Sequence, residues 1–245
     1  MTGEMKVLNP VAAQDTREFP VAARAASLDG VTLGLAWNGK PGGDIALERS
    51  LLGDAATLLT QAVDHLAYPS PRLIAIGGLS GTGKSTLARA LAPHLGARPG
   101  AVVIRSDVVR KQLAVVEEST HLPQSAYTLA MSQQVYERVA SIASDTLAAG
   151  YAAITDAVYG RASEREEIAE IAHCAGVAFD GLWLEGPPAL LEQRIETRQG
   201  DASDATPEVL RAQLGFVTVP QNWTTINAAA SAAELLADAK RVLGT

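Results

Sequence analysis

The sequence is poor in cysteine and contains no long apolar run. Cys174 is the single cysteine, which excludes a disulfide within the chain and a zinc site built from several cysteines. No stretch approaches the roughly 18 consecutive apolar residues that a membrane-spanning helix needs. The opening MTGEMKVLNPVAAQD also lacks the basic and then apolar pattern of a secretory signal. These absences predict a soluble protein of the reducing cytoplasm that has no membrane partner.

The chain also lacks an excess of basic residues. It contains 20 Lys and Arg against 27 Asp and Glu, which gives a formal net charge of -7. Nonspecific binding to nucleic acid usually needs a basic face, so this balance argues against a nucleic-acid partner. A small anion remains compatible with it, because a local cationic site can oppose the overall charge. The sequence indicates no particular oligomeric state.

Hydrophobic residues make up 47% of the sequence, enough for a substantial core, and their arrangement alternates. Short apolar segments alternate with helix-like stretches such as 85–95 and 231–243; the apolar segments are 72–77, 101–106, 151–156, 178–186 and 223–228. This alternation predicts an α/β domain over 71–245, with helices on both faces of a parallel sheet. Residues 1–70 are predicted to be an N-terminal extension, with a helix over 44–66.

The segment GLSGTGKS, residues 78–85, matches the P-loop pattern G-x-x-x-x-G-K-[ST]. Glycines let successive backbone N–H groups turn inward, and the following helix directs its positive N-terminal end at a bound phosphate. A flexible turn is the alternative, but an apolar strand precedes the pattern and STLARAL follows it with strong helix formers. We therefore predict a site for ATP and Mg²⁺ formed by Gly78, Leu79, Ser80, Gly81, Thr82, Gly83, Lys84, Ser85 and Thr86.

Two residues of this pattern and one distant acid have predicted roles around the phosphates. Lys84 is expected to bridge the β- and γ-phosphates, and the Ser85 hydroxyl is expected to bind Mg²⁺. Asp156 ends the apolar segment YAAITD, as an acid ends a Walker B strand. Asp156 then either binds Mg²⁺ through water or orients Arg110, and the sequence leaves both open. The alternative is an ordinary acid in a strand-to-loop turn.

The segment AVVIRSDVVRKQL places Asp107 just past the second predicted strand and Arg110 three residues later. In an open α/β sheet, ligands bind at this edge. A carboxylate here can orient an acceptor hydroxyl and take its proton, and an arginine beside it can bind an anionic or polar group. The alternative is that Asp107 only caps a helix, which Asp does readily.

The segment LLEQRIETRQGDASDATPEVLRAQ predicts a helix, a flexible tip and a second helix with Thr206 as its N-cap. Arg194 and Arg198 lie four residues apart on the first helix. Closure of such a lid would exclude water and bring an arginine, Arg198 in our prediction, to the transferred phosphoryl group. The alternative is a surface helix with ordinary arginines.

A long insertion, residues 117–150, separates the second and third predicted strands. We expect it to cover an acceptor pocket, with His121, Tyr127 and Tyr136 as candidate contacts to a sugar-like molecule. The alternatives are a core role for Tyr136, which has valines nearby on a predicted helix, and a structural or exposed role for His121.

Together these motifs resemble a known group of proteins. LIAIGGLSGTGKSTLARALAPHLG, VVIRSDVVRKQL, AYTLAMSQQVYERV, ITDAVYGRASERE and GLWLEGPPALLEQRIETRQGDASDATPEVLRAQL resemble the ATP-binding half of bifunctional aminoglycoside phosphotransferase/ATP-binding proteins. More widely, the chain is similar to small P-loop kinases, namely gluconate kinase, chloramphenicol phosphotransferase, polynucleotide 5′-hydroxyl kinase and zeta toxin. The resemblance covers about residues 72–241.

The resemblance implies a P-loop kinase fold whose five strands lie in the order 2-3-1-4-5. It also implies that Asp107 matches the aspartate that acts on the acceptor hydroxyl, that Arg110 matches an Asp-x-x-Arg spacing, and that Arg198 corresponds to a lid arginine. The first 70 residues are too few for an aminoglycoside phosphotransferase domain, so that activity is not carried over. Asn227 stands where many relatives are expected to have an acid, on the adenine side.

These inferences predict an enzyme that transfers the γ-phosphoryl group of ATP to a hydroxyl of a small polar acceptor, a class that includes sugar-containing molecules. Two alternatives remain open. The first is a polynucleotide or nucleotide-sugar kinase of the toxin type, whose nucleic-acid form the acidic balance disfavours. The second is an ATP-hydrolysing regulatory switch, because a P-loop alone does not separate a kinase from a switch.

Overall fold

Strands and helices alternate along the computed structural model, which describes residues 70–197 and 203–245. In chain order they are β1 Arg72–Gly78, α1 Lys84–Leu91, β2 Val102–Arg105, α2 Ser106–Leu113, α3 Leu129–Ala148, β3 Ala153–Asp156, α4 Ala162–Cys174, β4 Ala178–Glu185, α5 Pro188–Thr197, α6 Pro207–Phe216, β5 Thr224–Asn227 and α7 Ala232–Leu243. Short 3₁₀ turns lie at Ala92–His94 and Gln124–Tyr127. Within the described part of the chain, no helix has both the length and the apolar character needed to cross a bilayer.

The strands form one parallel sheet in the order β2-β3-β1-β4-β5. This confirms the predicted α/β fold, the five predicted strands and the order that the resemblance implied. Asp156, the last residue of β3, aligns with Ile76 of β1 on one side and with Arg105 of β2 on the other. The ends of the P-loop strand and of the two strands that lead to the candidate acids therefore meet at one edge.

The apolar core lies on both faces of the sheet. In β1, Leu73 and Ala75 point into one cluster, which includes residues of α3 and α4, while Ile74 and Ile76 point into the other, which includes residues of α1 and α7. Successive side chains of a strand point to opposite faces, so a strand buried on both faces must be apolar throughout. This is why LIAI reads as an unbroken apolar run.

Helix ends follow local chemistry. Helix α1 ends at Leu91, before the predicted residue 95, because Pro93 cannot continue an α-helix and the chain passes into a 3₁₀ turn. Thr206 is the N-cap of α6, as predicted, and its hydroxyl accepts a hydrogen bond from Val209 N. Ser231, predicted to be the first helical residue, is instead the N-cap of α7. The predicted helix over 44–66 lies outside the described residues.

Helix α2 ends in a strained backbone conformation. Val115 has a φ of 55°, its N–H donates to Gln112 O, and the next N–H, of Val116, donates to Lys111 O. This pairing ends many helices, usually with glycine at the left-handed position, because a Cβ there costs about 1–2 kcal/mol. Val115 is 89% exposed and therefore loses little packing when it is shortened.

We expect Val115→Gly to raise the free energy of unfolding by about 1 kcal/mol, since it removes this strain. Chemical denaturation checks the change. Val242→Gly, which replaces a partly exposed valine in the helical backbone of α7, is the control and should lower the same quantity. Equal destabilisation by both substitutions would contradict the strain at Val115.

Candidate active site

The P-loop follows β1 and ends where α1 begins. Gly83 is the N-cap of α1 and has a φ of 90°. A Cβ on Gly78 would lie 2.5 Å from Leu184 O, and a Cβ on Gly81 would lie 2.7 Å from Leu191 O. Both distances are too short for any side chain, so glycine is required where the loop approaches β4 and α5. The loop is therefore held in its turned shape by close backbone packing.

The residues that begin α1 bring two predicted groups to the sheet edge. Lys84 Nζ donates to Leu79 O at 2.9 Å, and Ser85 Oγ donates to Asp156 Oδ2 at 2.5 Å. Thr86 is exposed on the same first turn. The two predicted Mg²⁺ ligands thus lie in direct contact, although they are far apart in sequence.

Asp156 has a second partner, Arg105, which sequence reasoning missed. Arg105 Nε lies 3.4 Å from Asp156 Oδ2, and both residues are buried. Arg105 is therefore the cationic partner of Asp156. The contacts of Arg110 lie elsewhere, so the structure gives no support to the alternative that Asp156 orients Arg110. An arginine at the end of an apolar strand was the available signal, since arginine is seldom buried without a partner.

The Ser85–Asp156 pair fits a magnesium ion. Mg²⁺ prefers oxygen ligands, keeps several waters and binds nucleotide phosphates, so it needs few protein ligands. A hydroxyl and a carboxylate meet this need. Among residues 70–197 and 203–245 no group of three or more His, Cys, Asp or Glu side chains could hold a metal ion by itself.

Asp107 is the second residue of α2, just past the end of β2. The N-cap of α2 is Arg105, without a side-chain cap bond, so the alternative that Asp107 only caps the helix is not observed. Burial raises the pKa of the Asp107 carboxyl, and the nearby Asp156 charge raises it further. A hydrogen bond from the Ser203 hydroxyl and the charges of Lys84 and Arg105 oppose this rise in pKa. Asp107 therefore lies within electrostatic reach of the P-loop lysine.

Arg110 anchors the insertion between β2 and β3. Its guanidinium donates to Ala126 O at 3.2 Å and lies 3.5 Å from Ser132 Oγ. It also lies over the Tyr127 ring, 4.7 Å from the centroid. Arg110 Nε is buried, with no hydrogen-bond partner in the described part of the chain. Asp107 and Arg110, the predicted Asp-x-x-Arg pair, thus both lie on α2, and the Arg110 side chain contacts the insertion.

The three insertion residues that were predicted to contact an acceptor differ in their surroundings. His121 Nδ1 lies 3.1 Å from Asp204 Oδ1, and the Tyr127 hydroxyl donates to Asp204 Oδ2 at 2.8 Å. Tyr136 packs against the core, and its hydroxyl accepts a hydrogen bond from Tyr159 N at 3.1 Å. The core alternative therefore describes Tyr136, whereas His121 and Tyr127 meet at a carboxylate that the sequence did not single out.

Asp204 joins the stretch before α6 to α2 and to the insertion. Lys111, which is 1% exposed, lies 3.2 Å from Asp204 Oδ1 and also donates to Glu118 O. Leu122 N donates to Asp204 Oδ2 at 3.1 Å. Although burial raises the pKa of Asp204, hydrogen bonds from Leu122, Tyr127 and Lys111 outweigh it, and the net pKa is lowered. We call these contacts of Asp204 the Asp204 tether.

Helices α5 and α6 pack on the P-loop. Leu79 contacts a small apolar cluster formed by Leu191, Ile195 and Leu210. The buried Gln213 of α6 accepts a hydrogen bond from Ser80 N at 2.9 Å. The two helices of the predicted lid therefore border the phosphate loop directly.

The structure describes only one of the two arginines of the predicted lid. Arg194 of α5 donates to Ala228 O at 2.8 Å and so ties α5 to the end of β5. Arg198 lies outside the described residues, and its role stays a prediction. Beside Ala228, the Asn227 side chain accepts a hydrogen bond from Ala229 N, which shapes the turn after β5.

The part of the chain that contains the turned phosphate loop, the hydroxyl–carboxylate pair and the further acid is similar to known proteins. Residues 73–220, more than half of the chain, match the family described as AAA domain. The chain belongs to this family.

Two curated relatives of this AAA domain are uncharacterized proteins of Mycobacterium tuberculosis (strain ATCC 25618 / H37Rv) and Mycobacterium bovis (strain ATCC BAA-935 / AF2122/97). Each is 32% identical over 203 residues, which are 80% of this chain and 38% of the relative. The chain thus spans well under half the length of these relatives. An adenylyl-sulfate kinase of Myxococcus xanthus is 32% identical over 117 residues, 48% of this chain and 59% of that protein.

Solved structures similar to this AAA domain include kinases. A sugar kinase from Janibacter sp. HTCC2649 has a TM-score of 0.54 at 19% identity, covering 72% of this chain and 95% of its own. An APS kinase of Mycobacterium tuberculosis, in complex with AMPPNP and APS, has the same TM-score and identity and covers 72% and 99%. A gluconokinase from Sinorhizobium meliloti 1021 has a TM-score of 0.50 at 20% identity, covering 71% and 92%. These likenesses show that the fold is of the P-loop kinase type.

Proposed function

We propose that this AAA domain is an ATP-dependent phosphotransferase. Its acceptor is a hydroxyl of a small polar molecule, a class that includes sugar-containing molecules. The observation that carries the proposal is the placement of Lys84, the Ser85–Asp156 contact and Asp107 at one edge of the sheet. The kinase names of the similar proteins support the reaction class and leave the acceptor open.

Each group has a role that follows from its position. The P-loop N–H groups and Lys84 would hold the β- and γ-phosphates. Ser85 and Asp156 would hold Mg²⁺, which neutralises phosphate charge when bound, and Arg105 would position Asp156. Asp107 would orient the acceptor hydroxyl and take its proton. The raised pKa of Asp107 suits this role, because a proton acceptor works best when its pKa approaches the working pH.

Several wider expectations belong to this proposal. We infer that 71–245 is the kinase domain and that 1–70 is an extension to it, and that the chain works in the cytoplasm, bound to ATP and Mg²⁺. Arg198 is proposed as the lid arginine. The resemblance to the ATP-binding half of aminoglycoside phosphotransferase proteins rests on the motifs alone, since none of the relatives and structures named above carries that name.

The test uses ATP labelled in its γ-phosphate. The protein is incubated with this ATP, Mg²⁺ and a pool of polar metabolites, with Lys84→Ala as the blank. We expect label in an organic product that the blank does not form. Label in inorganic phosphate alone, across sugars, aminoglycosides and nucleosides, would overturn the proposal in favour of a switch. Label on an added 5′-hydroxyl oligonucleotide, with steep salt dependence, would favour the nucleic-acid kinase.

A further inference from the structure

A hydroxyl of the chain itself lies beside the proposed proton acceptor. The Ser203 side chain hydrogen-bonds the Asp107 carboxyl. Under the proposed function, the group expected at this position is the hydroxyl of the substrate that receives the phosphoryl group. Ser203 therefore presents the same functional group in the same place.

The Asp204 tether explains how Ser203 is held there. Asp204 follows Ser203 directly, and its carboxylate is bound by Lys111, His121, Leu122 and Tyr127. Lys111 lies four residues after Asp107 on α2, so both side chains occupy one face of that helix. A backbone fixed at Asp204 to this face places the preceding residue next to Asp107.

The other end of the same segment is bound to the phosphate loop. Helix α6 begins at Pro207, and its Gln213 side chain accepts a hydrogen bond from Ser80 N. Residues 203–213 thus run from Asp107 to the P-loop. Ser203 is held on the side of the site where the γ-phosphoryl group must arrive to reach any acceptor oriented by Asp107.

We propose that Ser203 is a self-phosphorylation site, modified within one chain when no external acceptor is bound. This inference rests on the proposed function. A bond forms between Ser203 Oγ and the γ-phosphorus of ATP, while the bond from that phosphorus to the β–γ bridging oxygen breaks. The bonding electron pair leaves with ADP, and the hydroxyl proton passes to Asp107. The products are phosphoserine and ADP.

The modification has a consequence for the acceptor site. A phosphoserine carries about 1.5 to 2 negative charges at neutral pH. At Ser203 these charges would lie beside the Asp107 carboxylate and occupy the space of the acceptor hydroxyl. We therefore expect the modified chain to transfer phosphoryl groups to external acceptors more slowly than the unmodified chain.

To test the proposal, the full chain is incubated with γ-labelled ATP and Mg²⁺ in the absence of an acceptor. Peptide mass spectrometry then locates the label. We expect one phosphoryl group on Ser203, at a rate per chain that does not change on dilution. Ser203→Thr should keep the label and Ser203→Ala should lose it. Ser141→Ala, at an exposed serine of α3, is the matched control and should label like the unaltered chain. Asp204→Asn should slow labelling by about 10-fold, because it loosens the positioning of Ser203.

Two readouts separate this inference from the proposed function. ATP binding is measured by calorimetry, and transfer to the metabolite pool is measured in parallel. A chain that binds ATP and phosphorylates a metabolite, but leaves Ser203 unmodified with and without that metabolite, would overturn the inference and keep the proposed function. Label that persists in Ser203→Ala would also overturn it. A chain that does not bind ATP would overturn both.

Discussion

Asp107→Asn is expected to lower turnover by about 10²- to 10⁴-fold, while the dissociation constant for ATP stays unchanged. The amide keeps the size of the side chain and loses its ability to take a proton from the acceptor. Steady-state kinetics with the identified acceptor and calorimetric titration with ATP measure the two quantities. Asp145→Asn, at an exposed acid of α3, is the control. Unchanged transfer to the true acceptor would remove Asp107 from this role.

The same substitution is expected to raise the melting temperature at neutral pH. Burial and Asp156 raise the pKa of Asp107 in the folded state, so its charged form is penalised there relative to the unfolded chain. This penalty is complete above the folded pKa and disappears below the unfolded pKa, so the advantage of the variant should vanish in acid. For the same reason, turnover of the unaltered enzyme should fall on acidification before an ordinary carboxyl would be protonated.

Asp156→Ala is expected to act on both metal binding and folding. It removes one of two proposed Mg²⁺ ligands, which should weaken Mg²⁺-dependent ATP binding by about 10- to 100-fold. It also takes a buried anionic partner from Arg105, a loss that typically costs about 3 kcal/mol of unfolding free energy. Titration of ATP at several Mg²⁺ concentrations and chemical denaturation measure the two effects.

Two further variants separate these effects. Asp156→Asn keeps an oxygen for Ser85 and Arg105, so it should lose most of the metal dependence with a smaller loss of stability. Asp180→Asn breaks the partly exposed pair with Arg72 at the opposite end of the sheet and should change neither measurement strongly. Full Mg²⁺ dependence in Asp156→Asn would show that Asp156 is not a metal ligand.

The fold was predictable because its signals are local. Each strand is a short apolar run between turn residues, and GLSGTGKS identifies the loop that follows β1. The spacing of apolar residues and the positions of turn residues could not predict the strand order. That order was implied by the resemblance, and the structure confirms it. The contact of Ser85 with Asp156 followed from that order, because neighbouring parallel strands end at one edge.

The missed residues depend on contacts between distant segments. Lys111 has the pattern of a solvated helix residue, yet Glu118 O and Asp204 bind its ammonium in the interior. Asp204 is one of two acids in a polar stretch, and its own sequence surroundings do not distinguish it. The left-handed Val115 was likewise invisible, because glycine is the usual residue there. Such features arise only when the insertion and the stretch before α6 are brought together.

The two apolar clusters cover the faces of the sheet, and neither includes a described residue of 114–128, the stretch that contacts Arg110 and supplies partners of the Asp204 tether. Changes in that stretch that keep the buried Leu122 and the contacts to Lys111 and Asp204 therefore leave both clusters intact. Under the proposed function, a lineage could vary the rest of the stretch, and with it the molecules that fit beside Asp107, while the phosphate loop keeps its shape. Related proteins that use different acceptors are therefore expected to differ in sequence mainly within this stretch, and to differ less in the phosphate loop.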